Sequence, residues 1–258
     1  MQGNIYIGTS GWCYTHWRHR FYPRTLPVNE YLRFYTRHFA VTEINTTFYQ
    51  QPEARIVHKW RKSVPSSFVF CPKMYRGITH EHKLLQPEKT LPPFFASIAP
   101  LKDQAGPILI QLPPSLDFQP AVAENFFRIL QTWYGAYTYA LEIRHSSWLQ
   151  QEAIDMLKDY GIGFVIAASG NKWPSAEIIT SKHVYARFHG PDGSYGSCYT
   201  DDVLTAYAAR IQAWAGEGHT TWSFFNNDGN GYAVQNARSL QTAVNGPQFE
   251  GLSQLALF

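Results

Sequence analysis

Several ionisable side chains stand at the ends of apolar runs, and most keep a spacing of two with a second polar residue. Glu43 and Asn45 are two apart, as are Glu142 and Arg144, Arg187 and His189, and Asn226 and Asp228. Strand side chains alternate faces with period two, so each pair points the same way. Lys73 and Gln111 close two further apolar runs, and His145 falls on the turn after Arg144. A carboxylate or guanidinium on the face of an apolar strand is costly to bury alone, so these groups are expected to pair or to meet a polar ligand. The residue types set the chemistry. Glu142 and Glu43 are candidate general acid or base, and His189 is the best proton carrier. Arg144, Arg187 and Lys73 suit a phosphate or carboxylate. Asn227 and Asp228 can orient a ligand or help complete a divalent-metal site. The expected catalytic set is therefore Glu142, His189, Glu43 and Asp228. Asn45, Lys73, Gln111, Arg144, His145, Arg187, Asn226 and Asn227 are expected to bind substrate. No HExxH or paired-histidine spacing calls for tight zinc, although a divalent metal stays open as a cofactor.

Strand-like and helix-like segments alternate along the whole chain. Strands are predicted over residues 4–8, 41–45, 67–72, 107–112, 139–143, 163–167, 183–188 and 220–225. Helices are predicted over 27–39, 53–62, 92–101, 121–133, 150–160, 201–215 and 232–244, with Thr200 as a candidate N-cap ahead of Asp201 and Asp202. The segment 173–179 reads as short and irregular. Eight such units without a linker-like break predict an α/β fold, a single (β/α)8 TIM-type barrel over residues 1–245. An open doubly wound sheet is the alternative, but no GxGxxG or GxxxxGK[ST] loop supports nucleotide binding of that kind. In a barrel the polar strand ends would converge at one rim. A buried salt-bridge network filling that rim is the plainer reading of the same pattern.

The totals fit one large core: 258 residues, 45% hydrophobic and 16% charged. A net charge of +3 leans weakly toward anionic partners. Cys13, Cys71 and Cys198 are odd in number and far apart, which predicts free thiols and a cytoplasmic setting. No apolar run reaches the roughly 18 residues of a membrane span, and the N-terminus is expected to enter a strand without a signal peptide. Aromatics make up 16% of the chain. Trp12, Tyr49 and Trp148 fall in the expected rim loops, as do Tyr14, Trp17, Trp173, Tyr195 and Tyr199. They are candidate stacking surfaces for a sugar or base, or packing for the loops themselves.

Taken together, several segments resemble the YecE-like family, domain of unknown function 72. They are Gly8-Thr9-Ser10-Gly11-Trp12, Phe21-Tyr22-Pro23, Glu43-Ile44-Asn45-Thr46-Thr47-Phe48-Tyr49, Thr79-His80 and Gln111-Leu112-Pro113-Pro114. The series continues with Glu142-Ile143-Arg144-His145-Ser146-Ser147-Trp148, Arg187-Phe188-His189-Gly190 and Phe225-Asn226-Asn227-Asp228. The resemblance runs in order from about residue 5 to residue 245. It implies a TIM barrel and carries no settled reaction. Similar members often place Asp just after the sixth strand, where this chain has Ala167-Ala168-Ser169-Gly170.

Beyond Val244 the pattern stops at Asn245-Gly246-Pro247, and residues 246–258 read as a flexible tail. The tail ends Gln254-Leu255-Ala256-Leu257-Phe258. This resembles the pentapeptide by which bacterial replication and repair proteins bind the DNA polymerase sliding clamp. Gln254, Leu255, Leu257 and Phe258 occupy the anchor positions. An apolar peptide on a flexible linker suits a pocket on a partner, or it folds back over its own domain. The leading expectation is therefore a hydrolase acting on a phosphate-bearing substrate, associated with nucleic acid or DNA repair through clamp tethering. The alternatives are a carbohydrate-active hydrolase using Glu43 and Glu142 as a carboxylate pair, and a non-enzymatic binder of an anionic ligand.

Overall fold

The computed structural model describes residues 2–246. The strands are β1 (Ile5–Thr9), β2 (Val41–Ile44), β3 (Val69–Pro72), β4 (Ile108–Gln111), β5 (Tyr139–Glu142), β6 (Gly163–Ala168), β7 (His183–Phe188) and β8 (Thr220–Phe225). The helices are α1 (Tyr31–Tyr35), α2 (Thr46–Tyr49), α3 (Ala54–Lys62), α4 (Pro87–Ile98), α5 (Pro120–Tyr134), α6 (Gln151–Asp159), α7 (Asp201–Gly216) and α8 (Tyr232–Asn245). The helix expected over 27–39 contracts to a 3-10 turn at Val28–Glu30 followed by the short α1. The helix expected over 92–101 begins earlier, with Pro87 in its first turn, where a missing N–H costs nothing. Thr200 does occupy the N-cap of α7, but its side chain makes no capping bond.

The closed eight-stranded barrel expected from the sequence is not what forms. The parallel ladders make a six-stranded sheet in the order β1-β8-β7-β6-β5-β4 and a separate pair, β2-β3. Single bridges, Ser10 to Glu43 on one side and Phe70 to Ala105 and Lys73 to Leu109 on the other, are all that links the two pieces as sheet. Each interruption has a local cause. Between β1 and β2 the Tyr35 hydroxyl is inserted: it accepts from the Thr9 N–H at 2.9 Å and donates to the Val41 carbonyl at 3.1 Å. The strands nevertheless run close, since a Cβ at Gly8 would lie 2.3 Å from the Val41 oxygen. Between β3 and β4, Pro72 and Pro107 lie inside the stretch spanned by the two bridges, and neither has an N–H to donate.

Period-two alternation sorts the strand residues into two faces. One face carries Ile7, Ile44, Phe70, Ile110, Leu141, Ile166, Ala186 and Phe225 into the large core shared with the helices. The opposite face of seven strands builds a smaller core from Val41, Cys71, Leu109, Ala140, Val165, Tyr185, Trp222 and Phe224. Two residues further along, six of those strands present Glu43, Lys73, Gln111, Glu142, Ala167 and Arg187. The polar layer therefore sits directly beyond an apolar one, at the strands' C-terminal ends. No helix among the described residues is long and apolar enough to cross a membrane.

Replacing Tyr35 by Phe removes the hydroxyl that stands in for a ladder bond and orphans the buried Thr9 N–H and Val41 carbonyl. The expected loss is about 1–3 kcal/mol in urea unfolding. A variant as stable as the parent would show that β1 and β2 do not depend on this bridge.

Candidate functional site

Arg187, on β7, is the hub of the polar layer. Its Nε and Nη2 donate to the two oxygens of Glu43 at 2.9 and 2.7 Å, a bidentate grip across to β2. Its Nη1 donates to Glu142 Oε2 on β5 at 2.5 Å. The other oxygen of Glu142 accepts from Arg144 Nη2 at 2.6 Å and bonds His189 Nε2 at 2.8 Å. Tyr185 donates to Glu43 Oε2 at 2.8 Å. Glu43, Glu142, Arg187 and His189 are fully buried. Lys73 Nζ donates to Gln111 Oε1 at 2.7 Å and lies 4.0 Å from the centre of the Phe48 ring.

These contacts fix the protonation states. Burial favours neutral carboxyls, but Arg187 overrides it at Glu43, and Arg144, Arg187 and His189 override it at Glu142, which is held well below the ordinary range. Both are therefore committed anions rather than proton carriers. Burial dominates at His189: despite Glu142, it pushes the imidazole down to about 4, so His189 is neutral at pH 7. With Nε2–H donated to Glu142, Nδ1 becomes the acceptor, 3.4 Å from the Asn226 amide nitrogen. Burial also lowers Lys73, to about 7, with Arg187 and Arg144 adding to the effect and Glu142 and Glu43 opposing it.

Arg144 has capacity left over. Only Nη2 is engaged by a carboxylate, while the buried Nε and Nη1 have no partner among the described residues. Its guanidinium lies 4.4 Å from the centre of the Trp173 ring. Nε–H and Nη1–H point to different edges of the guanidinium, so each needs its own acceptor oxygen.

The structure thus brings together Glu43, Glu142, Arg144, Arg187 and His189, with Lys73, Gln111 and Asn226 at the margin. Other expected site residues lie elsewhere. Trp12 packs edge-on to Trp60 in the main core. Trp148 is buried against Phe118 and donates to the Leu116 carbonyl. Tyr49 is exposed and meets Phe48. His145 turns to the Ser147 hydroxyl, and Asn227 ties the end of β8 to Ser197 and Asn236. Asn45 reaches the Ser10 carbonyl at 3.4 Å. Asp228 accepts from Trp17 Nε1 at 2.6 Å and bonds His16 at 2.8 Å. Among the described residues, no three His, Cys, Asp or Glu side chains are placed to hold a metal ion. Both Glu142 oxygens face donors, so the donor set does not fit the divalent ion left open by the sequence. Tyr185 was not singled out, although period two puts it on the same face as Arg187. Trp173, expected among the aromatics of the rim loops, does meet the layer, at Arg144. Gln254, Leu255, Leu257 and Phe258 lie outside the described residues.

The family described as "Protein of unknown function DUF72" matches residues 6–254. The UPF0759 protein YecE of Escherichia coli (strain K12) is 30% identical over 141 residues, which cover 55% of this chain and 48% of YecE. That match therefore spans about half the length of YecE. The UPF0759 protein YunF of Bacillus subtilis (strain 168) is 25% identical over 98% of this chain and 100% of its own. A crystal structure of a DUF72 family protein from Thermotoga maritima MSB8 superposes with a TM-score of 0.85 at 26% identity, covering 94% of this chain and 100% of that one. Another, from Enterococcus faecalis V583, gives a TM-score of 0.81 at 21% identity, over 97% and 99% of the two chains, and speaks to the fold alone.

Arg187→Met strands the buried carboxylate of Glu43 and leaves Glu142 to Arg144 and His189, and the expected cost at neutral pH is about 3–5 kcal/mol by chemical denaturation. In the parent both carboxyls titrate below their unfolded value, so their contribution is present above it and fades as pH falls through the folded value. In the variant burial raises Glu43 instead, so the deficit should shrink as pH falls from about 7.5 to 5. A deficit independent of pH over that window would show that Arg187 does not hold Glu43 charged.

Proposed function

Because the chain belongs to the DUF72 family, whose description names no reaction, we propose a function from the site itself: hydrolysis of a small phosphate-bearing substrate at the strand ends. The observation that carries this reading is the buried guanidinium of Arg144, where Nε and Nη1 have no partner among the described residues. Leaving a buried guanidinium half-satisfied is expensive, and an anionic ligand would recover that cost. Lys73 and Asn226 flank the same layer and add donors. The Glu142–His189 pair supplies the proton chemistry. Glu142 fixes the imidazole tautomer and stabilises its charged form, and the neutral ring accepts a proton from an attacking water. Glu142 and Glu43 are then electrostatic anchors, not the acid or base. The same geometry weighs against a glycosidic carboxylate pair. One guanidinium binds both groups, so neither is free to protonate a leaving group or to attack.

Clamp tethering is proposed on the sequence alone, from Gln254, Leu255, Leu257 and Phe258. It would raise the local concentration of the domain on DNA.

Orthophosphate binding by calorimetry and turnover of p-nitrophenyl phosphate mono- and diesters test the site. Arg144→Gln is expected to weaken phosphate binding roughly 10- to 100-fold, the loss of a charge and its hydrogen bonds. His189→Gln should remove turnover and keep binding. Phosphate affinity unchanged by Arg144→Gln overturns the reading. For the tail, the full chain should retain purified sliding clamp in a pull-down, and a chain lacking residues 254–258 should not; equal retention by both, or by neither, removes the tether.

A further inference from the structure

Lys73 is an unusual lysine. It is only 7% exposed, and its backbone is fixed on both sides: its N–H donates to the Ile44 carbonyl, and its own carbonyl accepts from the Thr47 hydroxyl at 2.7 Å. A buried ammonium ordinarily sits against a carboxylate. Here both nearby carboxylates are taken, Glu43 by Arg187 and Tyr185, and Glu142 by Arg187, Arg144 and His189. The amine is left with a neutral amide oxygen, Gln111 Oε1, and the face of Phe48. Two buried guanidiniums act on it from the same layer, and His80 lies within electrostatic reach. This arrangement suits an uncharged amine better than an ammonium. Desolvation beside cationic neighbours is also the means by which a lysine is made nucleophilic.

We propose that Lys73 forms an imine with the carbonyl group of a small anion-bearing aldehyde or oxo acid. This goes beyond hydrolysis and takes from that reading only the seat of the anion at Arg144. In the step, the nitrogen lone pair adds to the carbonyl carbon and the C=O π pair moves to oxygen. Both protons of the amine are lost, relayed through solvent, and leave with that oxygen as water, and a neutral C=N bond remains. No oxidant or metal is consumed. Gln111 holds the amine by its Nζ–H, leaving the lone pair free to point away from the amide.

The test is reductive trapping of the full chain with sodium cyanoborohydride and glyceraldehyde 3-phosphate, or pyruvate, at neutral pH, followed by peptide mapping. Cyanoborohydride delivers hydride to the imine carbon and solvent the proton, which makes the adduct permanent. The expected result is one dominant adduct, on Lys73. Its rate should rise with pH through about 7 as the amine loses its proton, while the exposed lysines react only slowly. Lys73→Arg should lose the adduct, but the mapped position in the parent chain decides the matter even if that variant fails to fold. No adduct, or adducts spread over surface lysines with Lys73 unmodified, overturns the proposal. Orthophosphate separates the two readings. If it slows labelling by the phosphorylated aldehyde, the anion seat is supported. Labelling of Lys73 that phosphate leaves unchanged keeps the nucleophilic amine and removes the seat at Arg144.

Discussion

The bidentate hold of Arg187 on Glu43, with its third nitrogen on Glu142, is the constraint on which the rest of the structure depends. β2 is not laddered to β1, and β3 is joined to β4 only at single bridges. Main-chain bonds cross these seams at Gly11 to Glu43, Gly106 to Phe70 and Met74 to Leu109, and side chains fix the β2-β3 pair elsewhere. Arg187 and Tyr185 do so from β7 through Glu43, and Tyr35 does so at the edge of β1. Ion pairs of this kind are poor sources of net stability, because desolvation offsets most of the attraction. What they give is a single register, since any other placement leaves charge buried and unpaired.

The same constraint sets the character of the site. Once Arg187 has neutralised most of the two carboxylates, the remaining donors outnumber the acceptors. Arg144 keeps two unpartnered nitrogens, Lys73 has an amide for a partner, and His189 stays neutral. With two guanidiniums against two carboxylates, the layer holds surplus N–H donors rather than a surplus of positive charge. It also has an apolar floor, made by the residues two positions earlier on each strand. A low-dielectric base beneath unpaired donors strengthens any bond made to an anion.

Much of this layer was legible in the sequence because period two is a property of the backbone. Glu43, Glu142, Arg144, Arg187 and His189 met because their spacing put them on shared faces at successive strand ends. What was not legible came from outside that periodicity. The closed barrel failed because a tyrosine on α1, 26 residues from Thr9, occupies the seam between two strands, and because prolines remove donors from the other seam. Trp12 and Trp148 sit in segments next to the strand ends, but their large apolar area draws them into the core. Asp228 shares a face with Asn226 in the sequence, yet the loop carrying His16 and Trp17 claims it first. Loop partners of this kind leave no periodic trace.

The central claim is that Arg187 binds both buried glutamates and that Nε and Nη1 of Arg144, left without a protein partner, are met by an anion. A crystal structure of the protein soaked in orthophosphate tests it most directly. The expected result is a phosphate oxygen within hydrogen-bond distance of Arg144 Nε or Nη1, and Arg187 still spanning Glu43 and Glu142. No phosphate at Arg144, or an Arg187 turned away from either glutamate, would contradict it.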